Sequence, residues 1–406
     1  MRDTYQAVII GGGPAGAAAA LMLARAGWSV AVVEKAGFPR RKVCGEFVSA
    51  TAMPLLRDLG VADSFLRLAG PEVRQVGLFV NDSVLISDMP RAETGGDGGW
   101  GRALGREHLD QLLLRHAAEA GATVWQPWTA AGLDREGGRH VCRIVARDKQ
   151  DAAALRAPVV ILAHGSWDPG SLPTQAVRRA RRPSDLFAFK ARFRDARLPA
   201  GLMPLLVFPG GYGGMVHTDG DRLSLSCCIR RETLDRCRRA RPEAGAAEAV
   251  FEHIRSSCRG VRDALAGAEL DGAWLSVGPI RPVLRARGLP GTFLIGNAAG
   301  EAHPIIAEGI TMALQSARLL CDLLISRQQE AREGRALPSI ARAYAAGWRR
   351  NFSSRLYAGS LFAALARTTT GADAVAAALG RFPAMLTAGA RWSGKVTPVL
   401  ARGGPS

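Results

Sequence analysis

One hexapeptide constrains this chain more than any other feature: Gly11-Gly12-Gly13-Pro14-Ala15-Gly16. It separates a short apolar run, Ala7 to Ile10, from an alanine-rich stretch, Pro14 to Arg25, and a second apolar run follows from Ser29 to Val33. The order predicts strand, glycine turn, helix, strand, with Gly27 closing the helix as its C-terminal cap. Gly11 permits the tight turn, Gly13 lets a ligand approach the backbone, and Gly16 lets helix and strand pack closely.

A turn of this kind, feeding a helix N-terminus with free N–H groups, suits a pyrophosphate, with Pro14 and Ala15 beside it. Glu34, followed by Lys35, ends the second strand about twenty residues on, where a carboxylate accepts hydrogen bonds from a ribose 2′-OH. A carboxylate there repels a 2′-phosphate. The site therefore suits FAD or NAD rather than NADP.

Further along, Arg106 to Gly121 reads as an amphipathic helix leading into a strand at Ala122 to Trp125, and Val159 to Ala163 reads as another strand. Residues 187–193, 203–208, 213–218 and 222–229 are short alternating runs punctuated by Gly, Pro and Asp, a pattern of antiparallel hairpins. A strand pattern returns before a helix from about Glu308 to Ser326, and the chain beyond Pro338 is helical. The fold class expected is α/β. A Rossmann-like FAD-binding domain (residues 1–75, 100–170 and 270–330) interleaves with an antiparallel β-sheet substrate domain (76–99 and 180–269), followed by a C-terminal helical segment, 335–406.

Composition excludes several classes of function. Hydrophobic residues make up 48% and charged residues 22%, which fits a globular enzyme rather than a disordered chain. The net charge of +17 attracts anionic partners, but no aromatic residues interleave the basic runs, so nucleic acid is not expected. Seven cysteines without a CxxC pair suggest neither a disulfide framework nor structural zinc, and no HExxH spacing points to metal catalysis. With no signal-peptide pattern and no long uninterrupted apolar run, a cytoplasmic protein without a transmembrane segment is expected. The apolar C-terminal stretches LFAALA and AVAAAL are compatible with a helical lid or a peripheral membrane contact, core packing being the commoner explanation.

Three later motifs carry a family resemblance. Gly296-Asn297-Ala298-Ala299-Gly300, His303-Pro304 and Glu308-Gly309-Ile310-Thr311 resemble the distal flavin motif of p-hydroxybenzoate-hydroxylase-like flavoproteins. Pro39 to Ser49, containing Lys42-Val43-Cys44-Gly45-Glu46, resembles the corresponding segment of geranylgeranyl-reductase-like flavoproteins, and the stretch around Arg106 resembles their Arg-containing helix start. The resemblance implies non-covalent FAD. Gly296 and Asn297 would lie at the ribityl chain, Gly309, Ile310 and Thr311 at the flavin ring, and Lys42, Cys44, Gly45 and Arg106 beside the cofactor. Asn297 stands where the family usually has Asp, and Ala163-His164-Gly165 replaces a strand end that reads Asp-Gly in the aromatic hydroxylases.

Four residues are candidates for chemistry: Cys44, in a basic segment beside the flavin; Glu46, in the same loop; Tyr212, in a glycine-rich hairpin; and His303, in the flavin loop. No second strand–GxGxxG–helix unit is present, so NAD(P)H would act as a transient reductant. The expected substrate is a hydrophobic small molecule, aromatic or polyketide-like. It could be tethered to an acidic acyl carrier protein docked on the basic run Arg178–Arg182. The chemistry expected first is hydroxylation by a monooxygenase. The alternatives are reduction of C=C bonds, which the Cys44 segment favours, and FAD binding without catalysis. The Trp-x-Trp-x-Ile-Pro signature of flavin halogenases is absent.

Overall fold

In the computed structural model, residues 3–92, 99–166, 170–172, 174–175, 180, 182–280, 291–366, 377, 380–381 and 384–395 are described. The strand Ala7–Ile10 lies at the centre of a five-stranded parallel sheet, in the order Thr292–Leu294, Val159–Leu162, Ala7–Ile10, Val30–Val33, Thr123–Trp125. Its four residues are all buried because both faces of the sheet are covered. Ala7 and Ile9 point into a core shared with the helices Pro14–Arg25, Arg106–Glu119 and Gly309–Ser326. Val8 and Ile10 point the other way, into a second core. That core is closed by an antiparallel sheet of Trp128–Glu136, Arg139–Ala146 and Ala152–Ala157, which the sequence reading did not anticipate.

The central part of the chain builds an eight-stranded sheet. Leu186–Arg194 pairs antiparallel with Leu223–Arg230, which pairs with Gly211–His217, which pairs with Leu202–Phe208. This is not the sequential meander expected, because Leu186–Arg194 bypasses its neighbour in sequence. Leu202–Phe208 instead runs parallel to Gln75–Val80, itself paired with Ser83–Asp88. The helices Arg231–Ala240, Ala246–Ser257 and Arg259–Ala264 supply apolar residues to the core on one face of this sheet. The other face looks toward the glycine turn and encloses the site.

The long helix Leu337–Ala366 packs on Gly309–Ser326. Gly309–Ser326 alone among the described residues is long and apolar enough to cross a membrane by composition, but it is mostly buried within the fold. Arg178, Arg179 and Arg181 of the basic run lie outside the described residues.

Candidate active site

One large cavity, about 660 Å³, runs from the glycine turn to the eight-stranded sheet and the C-terminal helices. At its nucleotide end the glycines are sterically required. A Cβ on Gly11, whose φ is +110°, would sit 2.4 Å from the Ala163 carbonyl oxygen, and one on Gly16 would sit 1.8 Å from the Gly11 carbonyl oxygen. Gly11, Gly13, Pro14 and Ala15 line the cavity where the first helix begins, and Gly309 and Ile310 line it where a second helix begins. Two helix N-termini therefore face one space, each offering free N–H groups to negative charge.

Glu34 is buried at the end of its strand. Its carboxylate accepts hydrogen bonds from the Gly12 N–H (2.7 Å) and the Ala36 N–H (2.9 Å), and its spare lone pairs remain available to ribose hydroxyls. Arg40, also on the cavity wall, lies 3.9 Å from Glu34 and 3.7 Å from Asp110, while its buried Nε has no hydrogen-bond partner. The glycine cradle, the oriented carboxylate and this orphaned donor fit a dinucleotide with a pyrophosphate.

Cys44 lines the cavity and is partly buried. Its sulfur accepts the Glu46 N–H at 3.4 Å and also contacts the Arg106 guanidinium, with Lys190 near enough to interact electrostatically. These two basic side chains, from distant parts of the chain, face the thiol. Arg106 donates twice to the fully buried Asp110, both at 2.7 Å. Burial opposes its charge, but Asp110 more than restores it and holds the guanidinium protonated.

Glu46 is almost completely buried and pairs with Lys190 and, at 2.7 Å, with Arg192. Arg192 in turn pairs with Glu107, and the Arg106 N–H donates to Glu46. Burial alone would raise the Glu46 pKa, yet the two cations together hold it below the usual 4.5. An ionised, doubly paired carboxylate is not a proton donor. Glu46, expected as a catalytic residue, lines the cavity, and its ion pairs tie the Cys44 loop to the sheet.

Tyr212 and His303 meet across the cavity: the tyrosine hydroxyl and His303 Nδ1 share a hydrogen bond, and both residues are buried. Tyr212 stands opposite Cys228 in the sheet, and the two side chains also interact. Burial pushes the Cys228 thiol up to about 12, so it stays neutral. Two residues back on the same face, Ser226 donates to the Cys44 carbonyl at 3.0 Å. Cys44 and Tyr212 therefore both line the cavity next to the same strand, Leu223–Arg230.

Most of the sequence-predicted residues line the cavity. Lys35, Lys42, Gly45, Gly296 and Asn297 all line the cavity. Gly16 does not, and acts through the packing its missing Cβ allows. Thr311, expected at the flavin, is fully buried behind the wall, where its hydroxyl accepts the Ser49 N–H at 3.0 Å. The residues overlooked were Lys190, Arg192, Asp110, Arg40 and Lys395, which lines the cavity and donates to Glu308 before the second helix. Lys190 and Arg192 had a legible signal: with the exposed Arg194 they put three charges at alternate positions of the strand LFAFKARFR.

A parallel sheet with a glycine turn at its switch, crossed by a second sheet over one deep cavity, defines a flavoprotein oxidoreductase of the p-hydroxybenzoate hydroxylase and geranylgeranyl reductase-like superfamily. The chain belongs to the FAD binding domain family, which it matches over residues 4–349, and is an FAD-dependent enzyme. It is 25% identical over 329 residues to a tryptophan 2-halogenase of Chondromyces crocatus, covering 77% of this chain and 59% of that one. It is 25% identical over 346 residues to a menaquinone reductase of Mycolicibacterium smegmatis, covering 80% and 78% respectively. The myxobacterial chondrochloren halogenase CndH superposes with a TM-score of 0.75 at 20% identity, over 95% of this chain and 91% of that one, a likeness of fold.

Proposed function

We propose that the protein reduces a carbon–carbon double bond in a hydrophobic small molecule, with NAD(P)H as the transient reductant. The observation that carries this reading is the Tyr212–His303 hydrogen bond on a cavity wall that also presents Cys44. Saturating a double bond requires a hydride and a proton. FAD, when bound, supplies hydride-transfer chemistry. In this reading the Tyr212 hydroxyl gives the proton and His303 orients it, and NAD(P)H and one proton are consumed per bond saturated. Val76, Leu78, Val80, Met203, Leu205 and Val207 give the apolar surface that holds the substrate against this pair. The similarity to menaquinone reductase over most of both chains supports the reading.

Hydroxylation with molecular oxygen is the second reading. The apolar sheet wall favours it, because excluding water protects oxygen-dependent chemistry from side reactions. Turnover of polyprenyl and polyketide-type candidates under strict anaerobiosis separates the two. The reductase reading expects a product heavier by two hydrogens without oxygen. A product carrying one added oxygen atom, formed only in air, would establish the hydroxylase instead.

A further inference from the structure

The cavity does not end in protein. Phe362, Met385, Leu386 and Gly389 line it at the C-terminal side, and Met385 is also 52% exposed, so the mouth opens beside it. On the helix that carries Phe362, Tyr357 and Leu361 are exposed by 71% and 52%, and Trp392, which contacts Phe362, by 60%. Tyr357 and Leu361 are one helical turn apart on the outer face of Leu337–Ala366. Trp392 meets Phe362 edge-on, with ring centroids 6.4 Å apart, which joins the outer patch to the cavity lining.

Charge separates this region from the rest of the chain. Residues 335–406 contain nine arginines and one lysine against a single acidic residue, Asp373. Arg350 shares the outer helix face with Tyr357, and Arg381 and Arg391 are exposed on the segments that carry Met385 and Trp392. Among the described residues none of these three arginines forms an ion pair.

We propose that this C-terminal face docks on an anionic lipid bilayer, so that apolar substrate enters the cavity from the lipid phase. Arginines draw the face to an acidic surface, and the tyrosine and tryptophan suit the headgroup boundary, with leucine and methionine reaching below it. An acidic protein partner would answer the arginines but offers no apolar phase for four large exposed side chains. The inference goes beyond the reaction at the flavin, since lipid docking serves reduction and hydroxylation alike.

Vesicle flotation of the full-length holoprotein tests it, with phosphatidylcholine alone or mixed with phosphatidylglycerol. Binding is expected only with phosphatidylglycerol and should weaken with salt. The variant Tyr357→Ser/Leu361→Ser/Trp392→Ser should lose about tenfold or more in binding while keeping its flavin, since only exposed side chains change. Arg381→Glu/Arg391→Glu should lose a similar amount, whereas Arg238→Glu/Arg239→Glu, on the exposed face of a distant helix, should stay within about twofold. Brominated lipid should quench Trp392 emission, a signal missing in Trp392→Phe. Failure of the flavin-loaded protein to bind phosphatidylglycerol vesicles at low salt would overturn the proposal. So would wild-type binding by the triple serine variant, equal loss in the Arg238/Arg239 variant, or capture by an acidic acyl carrier protein without vesicle binding.

Discussion

Tyr212 and His303 lie 91 positions apart in sequence and share a buried hydrogen bond between the phenol oxygen and the imidazole Nδ1. One comes from the sheet and the other from the loop preceding the second helix N-terminus, so the bond ties these two parts of the cavity lining together. Replacing Tyr212 by Phe should lower single-turnover reduction by about 10²- to 10⁴-fold, the usual worth of a placed general acid. FAD content should be unchanged. His303→Gln should act in the same direction, and the double variant should be little slower than Tyr212→Phe. Additive losses would mean that the two side chains do not work as a unit.

Gly16→Ala should give a colourless or poorly folded protein. The new Cβ would fall 1.8 Å from the Gly11 carbonyl oxygen, a backbone atom that cannot move without opening the turn. Flavin absorbance per polypeptide and the thermal midpoint both read this directly.

The Glu46 ion pairs carry a pH signature. The carboxyl has a lower pKa folded than its ordinary 4.5, so its contribution to stability is complete above about that pH and is lost as the pH falls through the folded value. Glu46→Gln at neutral pH should destabilise the protein, because Lys190, whose pKa burial already lowers, loses the carboxylate that favours its charge. Glu46→Gln/Lys190→Met should recover much of that loss. Chemical denaturation at pH 7 and pH 4 measures both effects.

Alkylation distinguishes Cys44 from the other six thiols. It alone is only partly buried; Cys142 and Cys228 are raised by burial to about 12, and Cys227, Cys237, Cys258 and Cys321 are raised as well. Iodoacetamide at pH 7.5, roughly the range where ordinary thiols begin to react, should label Cys44 first. Added FAD should slow the labelling, since Cys44 lines the cavity; peptide mass spectrometry reads the outcome.

Local sequence was enough to determine the nucleotide half of this protein. Ala7–Ile10, Pro14–Arg25 and the end of the strand at Glu34 are legible because turn, helix start and carboxylate are spaced by backbone geometry within about thirty residues. The candidate residues Cys44, Tyr212 and His303 were also visible as motifs. Their juxtaposition was not. Tertiary structure decided that Tyr212 faces His303, that Glu46 is claimed by Lys190 and Arg192, and that Thr311 turns away to Ser49. It also decided that Leu186–Arg194 pairs with Leu223–Arg230 rather than with its neighbour in sequence. Strand order and buried charge pairing depend on which faces meet across the whole chain, and periodicity in one segment carries no information about its partner.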